Sequence, residues 1–415
     1  MKITGYRSLT TRHEWGRPVG DVNGVSDGTS TRQDVLVITT SDGVEGVALG
    51  AHADIDRVFP VLEGEDPRSV TGLYDRMLDV VFKLGHQGTT FNTLGTVDSA
   101  LWDLKAKLAG EPLWRLLGAR DRFVPGYASG LEAGLGDDDV AALYARFAER
   151  GFGAAKLKGG RHLDADLRRL GILRDAMSAN TSHPGLMLDA NESWHVSQAV
   201  RHVRALEAEF DLTWVEEPVR RWDVRGMASL RQQVAAGVAS GENLTGLEQV
   251  RALVDGGAVD VVQPNAAWGI TNLLRVGALA HAFDLPVSPI GLTFAVAAGA
   301  AALPNLLSIE VQDLSWPVGV DVDQVVDDGG ARLGDSPGNG IVLDEAAFEE
   351  VPASAGWAVR SGPHLRPARA GLRLVPEDDA PEDRAPDLAP DRAPGGASGG
   401  APGPTGGDGL GRTGR

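Results

Sequence analysis

Three acidic residues recur along the chain at nearly equal intervals, each at the end of a short apolar run. Asp189, Glu216 and Glu242 are separated by 27 and 26 residues. This interval is about the length of one strand–helix repeat in a parallel barrel, which places eight repeats in roughly 250 residues. Carboxylates at the C-terminal ends of consecutive barrel strands converge on one face, and such hard oxygen ligands suit Mg²⁺. The spacing therefore predicts a metal-assisted enzyme.

Two lysines, Lys156 and Lys158, end another strand-like run about 30 residues before Asp189. Residues i and i+2 of a strand project to the same side, so both amines should point to where the acids converge. Crowding two cations near a divalent metal disfavours protonation and is expected to lower the lysine pKa. A lysine with a lowered pKa serves as a general base near neutral pH. Alone, the pair is more simply explained as surface lysines, but its position relative to the acids favours catalysis.

These acids and lysines lie where strand and helix patterns alternate. Before them, residues 1–50 favour strands and residues 50–118 favour helices, of which the clearest covers 96–108. Eight strand-like runs with helical intervals fit a βα barrel better than an open doubly wound sheet. The runs are 124–129, 154–158, 186–189, 213–216, 238–242, 259–263, 286–290 and 306–311.

The composition restricts the partners and the compartment. A formal net charge of −18 argues against nucleic acids and anionic membranes as partners. The absence of cysteine excludes disulfide and thiolate chemistry. The N-terminus has no apolar signal core and no run of 18 apolar residues occurs, so we expect a cytoplasmic protein.

Residues 363–415 differ in composition from the rest of the chain. They are rich in Pro, Gly, Ala, Asp and Arg and contain almost no large apolar residues. A segment of this kind cannot bury enough surface to offset its ordering entropy. We therefore predict a disordered low-complexity tail.

Taken together, the motifs resemble those of the mandelate racemase and muconate lactonizing enzyme branch of the enolase superfamily. The likeness covers residues 1–350 and rests on the acid motifs, the Lys-x-Lys pair and a helix signature at 98–105. The resemblance implies an α/β fold, a modified TIM (β/α) barrel with an α+β capping domain. It also implies one Mg²⁺ held by the three acids, and proton abstraction α to a carboxylate to give a metal-stabilised enediolate. The implied domains are the N-terminal part of the cap (1–123), the barrel with the metal site (124–320) and a segment returning to the cap (321–362).

The sequence departs from this family at the opposite face of the substrate. The mandelate racemase pattern has an Asp after strand six and a His after strand seven, where this chain has Asn265 and Ile290. The muconate lactonizing pattern has a Lys shortly after strand six, where this chain has Trp268. Lys158 is therefore the predicted base, and Lys156 is the neighbour that tunes it electrostatically.

Four residues are predicted to bind the substrate. Glu310 matches the family position of a carboxylic acid hydrogen-bonded to the substrate carboxylate, for which it must be protonated, and burial favours that form. Asn265 occupies the strand-six position. Arg17 and Asn23 lie in an N-terminal loop where the family keeps its specificity residues, and polar side chains there suit hydroxyl groups or a distal carboxylate.

The function predicted first is a Mg²⁺-dependent dehydratase of a sugar acid, in which Lys158 takes the α-proton and the β-oxygen leaves. A cycloisomerase stays open, while a racemase or epimerase is disfavoured because it generally needs a group on each face. The rival from another class is a catalytically silent member that binds a carboxylate ligand. The expected partner is a small carboxylate substrate, and we expect a homo-oligomer.

Overall fold

A computed structural model describes residues 1–26 and 28–352 of the chain. In its N-terminal part a long antiparallel pair, β1 with β4, carries β5 on one side. The pairing is favoured by the β-branched run in β4, whose residues 35–38 are all fully buried. The elements here are β1 (Ile3–Glu14), β2 (Val19–Asp21), β3 (Gly24–Ser26), β4 (Ser30–Thr40), β5 (Glu45–Leu49), α1 (Ile55–Val58), α2 (Val70–Val80), α3 (Gly88–Ala109) and α4 (Leu113–Leu116).

Helix α3 joins this N-terminal sheet to the rest of the molecule. It begins eight residues before the predicted start at residue 96, and it ends at Ala109, where Gly110 adopts the left-handed conformation of a C-terminal cap (φ 69°). One face of α3 packs on β5, and another packs on the segment after the sixth barrel strand. The buried Asp98 accepts hydrogen bonds from the backbone N–H and the hydroxyl of Thr271.

The predicted barrel is present and begins at Phe123, one residue before the first of the eight predicted runs. Strands β6 to β11 pair in order and in parallel, and β12 pairs in parallel with β6. Isolated parallel bridges at Val287 connect β11 with the segment before β12, so the seventh run contributes bridges rather than a full strand. The strands are β6 (Phe123–Ser129), β7 (Ala154–Lys158), β8 (Gly185–Asp189), β9 (Leu212–Glu216), β10 (Gly237–Ser240), β11 (Val261–Val262) and β12 (Ile309–Gln312).

Helices connect these strands and bury their apolar faces against the barrel. Helix α7, for example, buries Ala199, Val200, Val203 and Leu206, which recur at the spacing of one helix face. The helices are α5 (Asp137–Glu149), α6 (Leu163–Met177), α7 (Val196–Glu207), α8 (Val224–Arg231), α9 (Leu247–Asp255), α10 (Ile270–His281) and α11 (Thr293–Ala300).

After the barrel, part of the chain pairs with the barrel sheet and part pairs with the N-terminal sheet. The sequence instead predicts that residues 321–362 as a whole return to the cap. A hairpin, β14–β15, pairs antiparallel with β6 of the barrel, and β17 pairs with β1 of the N-terminal sheet. The elements are β13 (Val320–Val322), β14 (Gln324–Asp327), β15 (Gly330–Leu333), β16 (Ile341–Leu343) and β17 (Glu349–Glu350). The predicted tail, 363–415, lies outside the described residues. Within the described part of the chain, no helix combines the length and apolarity needed to cross a membrane.

Candidate metal centre and active site

The three predicted metal-binding acids meet at the C-terminal end of the barrel. Asp189 ends β8, Glu216 ends β9, and Glu242 follows β10 by two residues. One carboxylate oxygen from each lies within 4.8 Å of the others. Gly241 allows the chain to turn there, because its φ of +136° is strained for any other residue and a β-carbon at this position would lie 3.1 Å from the Gln263 carbonyl oxygen.

The donor set fits a hard divalent cation. Asp189 and Glu216 are fully buried, and three clustered carboxylates repel one another unless a cation or protons neutralise them. Burial raises the pKa of Glu216 to about 8 and that of Glu242 to about 7, and in both cases the charge of Asp189 adds to the effect. Oxygen ligands at this spacing match Mg²⁺.

Neighbouring hydrogen-bond donors fix the orientation of the Glu216 and Asp189 carboxylates. The Gln263 amide donates to Glu216 Oε2 (2.7 Å), and the Trp214 indole donates to the same oxygen (3.2 Å). The Asn191 backbone N–H donates to Asp189 Oδ1 (2.8 Å). Sequence reasoning missed Gln263 and Trp214. Trp214 carried a signal, since it lies two residues before Glu216 in a strand and must face the same side of the barrel.

Both lysines reach the acids, with different partners. Lys156 Nζ lies 2.6 Å from Glu216 Oε1, 3.1 Å from Glu310 Oε1 and 3.7 Å from Asp189 Oδ2. Lys158 Nζ donates to Asp189 Oδ2 at 2.5 Å. Lys156 is fully buried, and Lys158 keeps 7% of its surface exposed.

Without a metal ion, both lysine pKa values are raised, which is opposite to the direction predicted for lysines beside a divalent cation. Burial lowers the pKa of Lys158, but the negative charge of Asp189 outweighs burial and leaves the pKa well above its usual range. Burial likewise lowers the pKa of Lys156, and the charges of Glu216 and Glu310 reverse the direction. The sequence shows that two lysines lie near the acids, but it does not show how closely each carboxylate approaches the two amines.

Glu310 also differs from its prediction. It ends the eighth strand and is almost fully buried, as expected. Burial raises its pKa, but the positive charges of Lys156 and Lys158 outweigh burial and hold the pKa below its usual value. Glu310 is therefore an ionised partner of Lys156 rather than the neutral carboxylic acid that the sequence predicted.

Of the remaining predicted substrate-binding residues, only Asn23 is seen, within the described residues, to contact the segment that follows Asp189. The Asn23 amide, in the β2–β3 turn, donates to the Asn191 carbonyl (2.9 Å), two residues after Asp189. Its Oδ1 is buried and has no hydrogen-bond partner among the described residues. The Arg17 guanidinium donates to the Gly130 carbonyl (2.5 Å), and the Asn265 side chain accepts from the Ala267 N–H (2.9 Å), so both are engaged with backbone.

Comparison with known proteins agrees with this geometry. Residues 20–118 match the mandelate racemase / muconate lactonizing enzyme N-terminal domain, and residues 139–347 match the enolase C-terminal domain-like family. The chain is 33% identical to 3,6-anhydro-alpha-L-galactonate cycloisomerase of Streptomyces coelicolor, over 72% of this chain and 82% of that protein. It is 34% identical to L-talarate/galactarate dehydratase of Salmonella typhimurium, over 61% of this chain and 66% of that protein.

Solved structures with the same fold contain magnesium. A racemase from Streptomyces coelicolor with bound magnesium superposes with a TM-score of 0.75 at 30% identity, covering 82% of this chain and 97% of that one. A mutant L-talarate/galactarate dehydratase liganded with Mg and L-glucarate gives a TM-score of 0.74 at 29% identity, covering 83% and 91%. The predicted fold and the predicted Mg²⁺ cofactor are thereby confirmed. The chain belongs to the mandelate racemase/muconate lactonizing enzyme family of the enolase superfamily.

Proposed function

We propose that this chain is a Mg²⁺-dependent dehydratase of a sugar acid, with Lys158 as the base. The observation that carries the proposal is the contrast between the two sides of the site. One side presents the amine of Lys158 beside a metal-binding carboxylate. The positions at which the family pattern places proton-transfer groups for the opposite face are Asn265 and Ile290, which form a parallel bridge with each other and transfer no protons. A chemistry that needs a single acid–base group fits this site best.

Asp189, Glu216 and Glu242 would hold the cation. When bound, Mg²⁺ supplies positive charge next to the substrate carboxylate. Asp189 is the group that raises the pKa of Lys158, so an Asp189 that also held a cation would raise this pKa less, and the neutral amine of Lys158 would be favoured. Lys156, which has two close carboxylate partners of its own, stays charged beside the substrate.

The proposed reaction balances with Lys158 alone. The Cα–H bond breaks and its proton moves to the amine of Lys158. The β C–O bond then breaks, and the departing oxygen takes a proton back from the lysine to leave as water. The product is an enol, which tautomerises to a 2-keto acid. Asn23 and Asn191, whose Oδ1 atoms are buried without partners among the described residues, accept hydrogen bonds from substrate hydroxyls.

A second candidate is a cycloisomerase, which the 33% identical Streptomyces relative favours. It begins with the same proton abstraction by Lys158. The bond between the β-carbon and an ether oxygen of the substrate then breaks, and this oxygen takes the proton back from Lys158 and remains in the product as a hydroxyl group. A racemase is less consistent with the site because positions 265 and 290 lack a second proton-transfer group.

A screen of acid sugars with Mg²⁺ present tests the proposal. The panel includes L-talarate, galactarate and 3,6-anhydro-L-galactonate, with products analysed by mass spectrometry. A dehydratase gives a 2-keto acid lighter by one water, and a cycloisomerase gives an isomer of unchanged mass. Lys158→Ala is the control and should be inactive. If no acid sugar is turned over although Mg²⁺ binds, a catalytically silent carboxylate-binding protein becomes the better assignment.

A further inference from the structure

Behind the two lysines lies a buried carboxyl group that the proposed reaction does not use. Glu132 follows β6 and is fully buried. Its Oε1 accepts the backbone N–H of Lys158 at 2.6 Å, and its Oε2 lies 3.0 Å from the Tyr144 hydroxyl on α5. The Tyr144 hydroxyl also lies 2.6 Å from the Lys156 carbonyl. The pair therefore contacts the backbone of both lysines.

The hydrogen atoms available to Tyr144 restrict how these contacts form. A phenol has one hydrogen to donate and lone pairs with which to accept. The Gly130 N–H lies 3.1 Å from the phenol oxygen and can only donate to it. The Lys156 carbonyl can only accept, so at 2.6 Å it takes the single phenol hydrogen. An ionised Glu132 would then face the phenol with lone pair against lone pair.

We infer that Glu132 is a neutral, protonated carboxylic acid that donates to Tyr144 and positions the strand carrying Lys156 and Lys158. With the proton on Oε2, Oε1 is the carbonyl oxygen of the acid and accepts the Lys158 N–H. Every contact around Tyr144 then has one donor and one acceptor. The protonation state of Glu132 does not depend on the proposed function. Only the catalytic importance of Lys156 and Lys158 rests on the proposed function.

The charges around Glu132 act in both directions. Arg17, in the loop after β1, and Lys158, on β7, favour the ionised form, as do the hydrogen bonds from the backbone N–H groups of Lys158 and of Glu132 itself. Burial opposes them and prevails, so the pKa of Glu132 is raised. Burial also raises the pKa of Tyr144, which keeps its hydrogen.

A neutral acid suits this position because it holds the strand without adding a negative charge. A carboxylate behind Lys158 would raise the pKa of the base further, as Asp189 already does. Gly130 permits the arrangement, since a β-carbon there would lie 2.7 Å from Glu132 Oε2. The same loop contacts the N-terminal segment, because the Arg17 guanidinium donates to the Gly130 carbonyl and the Gly20 N–H to the Leu131 carbonyl.

Infrared difference spectroscopy of the full chain in EDTA at pH 7 tests the protonation state without any substrate. Wild type minus Glu132→Gln should show the carbonyl band of a protonated carboxylic acid. A carboxylate band in its place would overturn the inference. Since neither Mg²⁺ nor turnover is needed, the result does not depend on whether the chain is a dehydratase.

Melting temperatures measured in EDTA from pH 5 to 7 give a second test. A carboxyl with a raised pKa in the folded state loses its stabilising contribution as the pH rises above about 4.3, its value in the unfolded chain. The melting temperature of Glu132→Gln relative to wild type should therefore increase steadily with pH. The exposed Glu149→Gln, on α5, should follow wild type. A flat difference for Glu132→Gln would contradict the inference.

Hydrogen exchange of the peptide covering 154–158 tests the positioning role. Glu132→Gln keeps an acceptor for the Lys158 N–H and a donor for Tyr144, so protection of this amide should persist. Glu132→Ala removes both and should speed exchange about tenfold or more, because the Lys158 N–H loses its buried acceptor. Equal exchange in the two variants would show that Glu132 does not position the strand.

Discussion

At the scale of single residues, the two lysines of one strand have different neighbours and therefore different roles. Lys156 lies between Glu216 and Glu310 and is fully buried, so its charge is matched twice. Within the part of the chain that the structure describes, the Lys158 amine donates to Asp189, and the side chain remains slightly exposed. An amine with one partner and access to the substrate is the better general base.

This difference predicts distinct effects of removing each lysine. With galactarate or another accepted acid sugar in D₂O, Lys158→Ala should abolish α-proton exchange and elimination, a loss of roughly 10²–10⁴-fold or more for a general base. Lys156→Ala leaves Glu216 and Glu310 without their cation and should shift the pH optimum. Proton NMR measures both exchange and product. Wild type should not accumulate the α-epimer, and its appearance would reveal a second base and favour an epimerase.

Much of the site could be predicted from the sequence because the period of the acids and the lysine pair depends only on the strand–helix repeat. The ionisation of Lys158 and Glu310 could not be predicted in this way. It depends on distances between side chains from strands two, three and eight, which the sequence does not contain. Glu132 was missed for a similar reason, since its partners Tyr144 and Lys158 come from a helix and a different strand.

At the scale of elements, helix α3 fixes the N-terminal sheet against the barrel. Gly95 lies where the helix meets the short 3₁₀ helix Ala266–Trp268, and a β-carbon at this position would overlap the Ala267 carbonyl. The Trp268 indole donates to the Glu242 carbonyl (3.0 Å), so this contact lies next to a metal-binding residue. Periodicity predicted the helix, but not its extra N-terminal turns, because those begin at Gly88 in a polar stretch.

A matched pair of glycine substitutions tests this packing. Gly95→Ala should destabilise the chain by about 1–3 kcal/mol, because the backbone in contact with it cannot easily move. Gly171→Ala, on α6, meets open space and should instead stabilise by up to about 1 kcal/mol. Denaturant unfolding followed by circular dichroism measures both. A stabilising Gly95→Ala would show that α3 does not approach the barrel this closely.

At the scale of the whole molecule, an acidic chain concentrates carboxylates in a buried site and needs a cation to keep them ionised. The formal net charge of −18 makes the surroundings of the site unfavourable for further negative charge. Lys156 and Lys158 supply two positive charges, while Asp189, Glu216, Glu242 and Glu310 supply four potential negative ones. Metal binding, protonation and stability are therefore coupled.

This coupling predicts how Mg²⁺ stabilises the chain as the pH changes. Burial raises the pKa of Glu216 to about 8 and of Glu242 to about 7, above the value of about 4.3 in an unfolded chain. In EDTA the contribution of these protons is present at low pH and is lost as the pH rises towards 8. The lysine pKa values are raised, so both amines stay charged throughout this range.

Because Mg²⁺ competes with protons for these carboxylates, it should raise the melting temperature more at pH 8 than at pH 6. Thermal unfolding in EDTA and in excess Mg²⁺ at both pH values measures the effect. Glu216→Gln removes one ligand and should lose most of the Mg²⁺-dependent rise, whereas the exposed Glu248→Gln should retain it. An equal rise at the two pH values would mean that the acids are already ionised without metal. No rise at either would show that the three acids do not bind Mg²⁺.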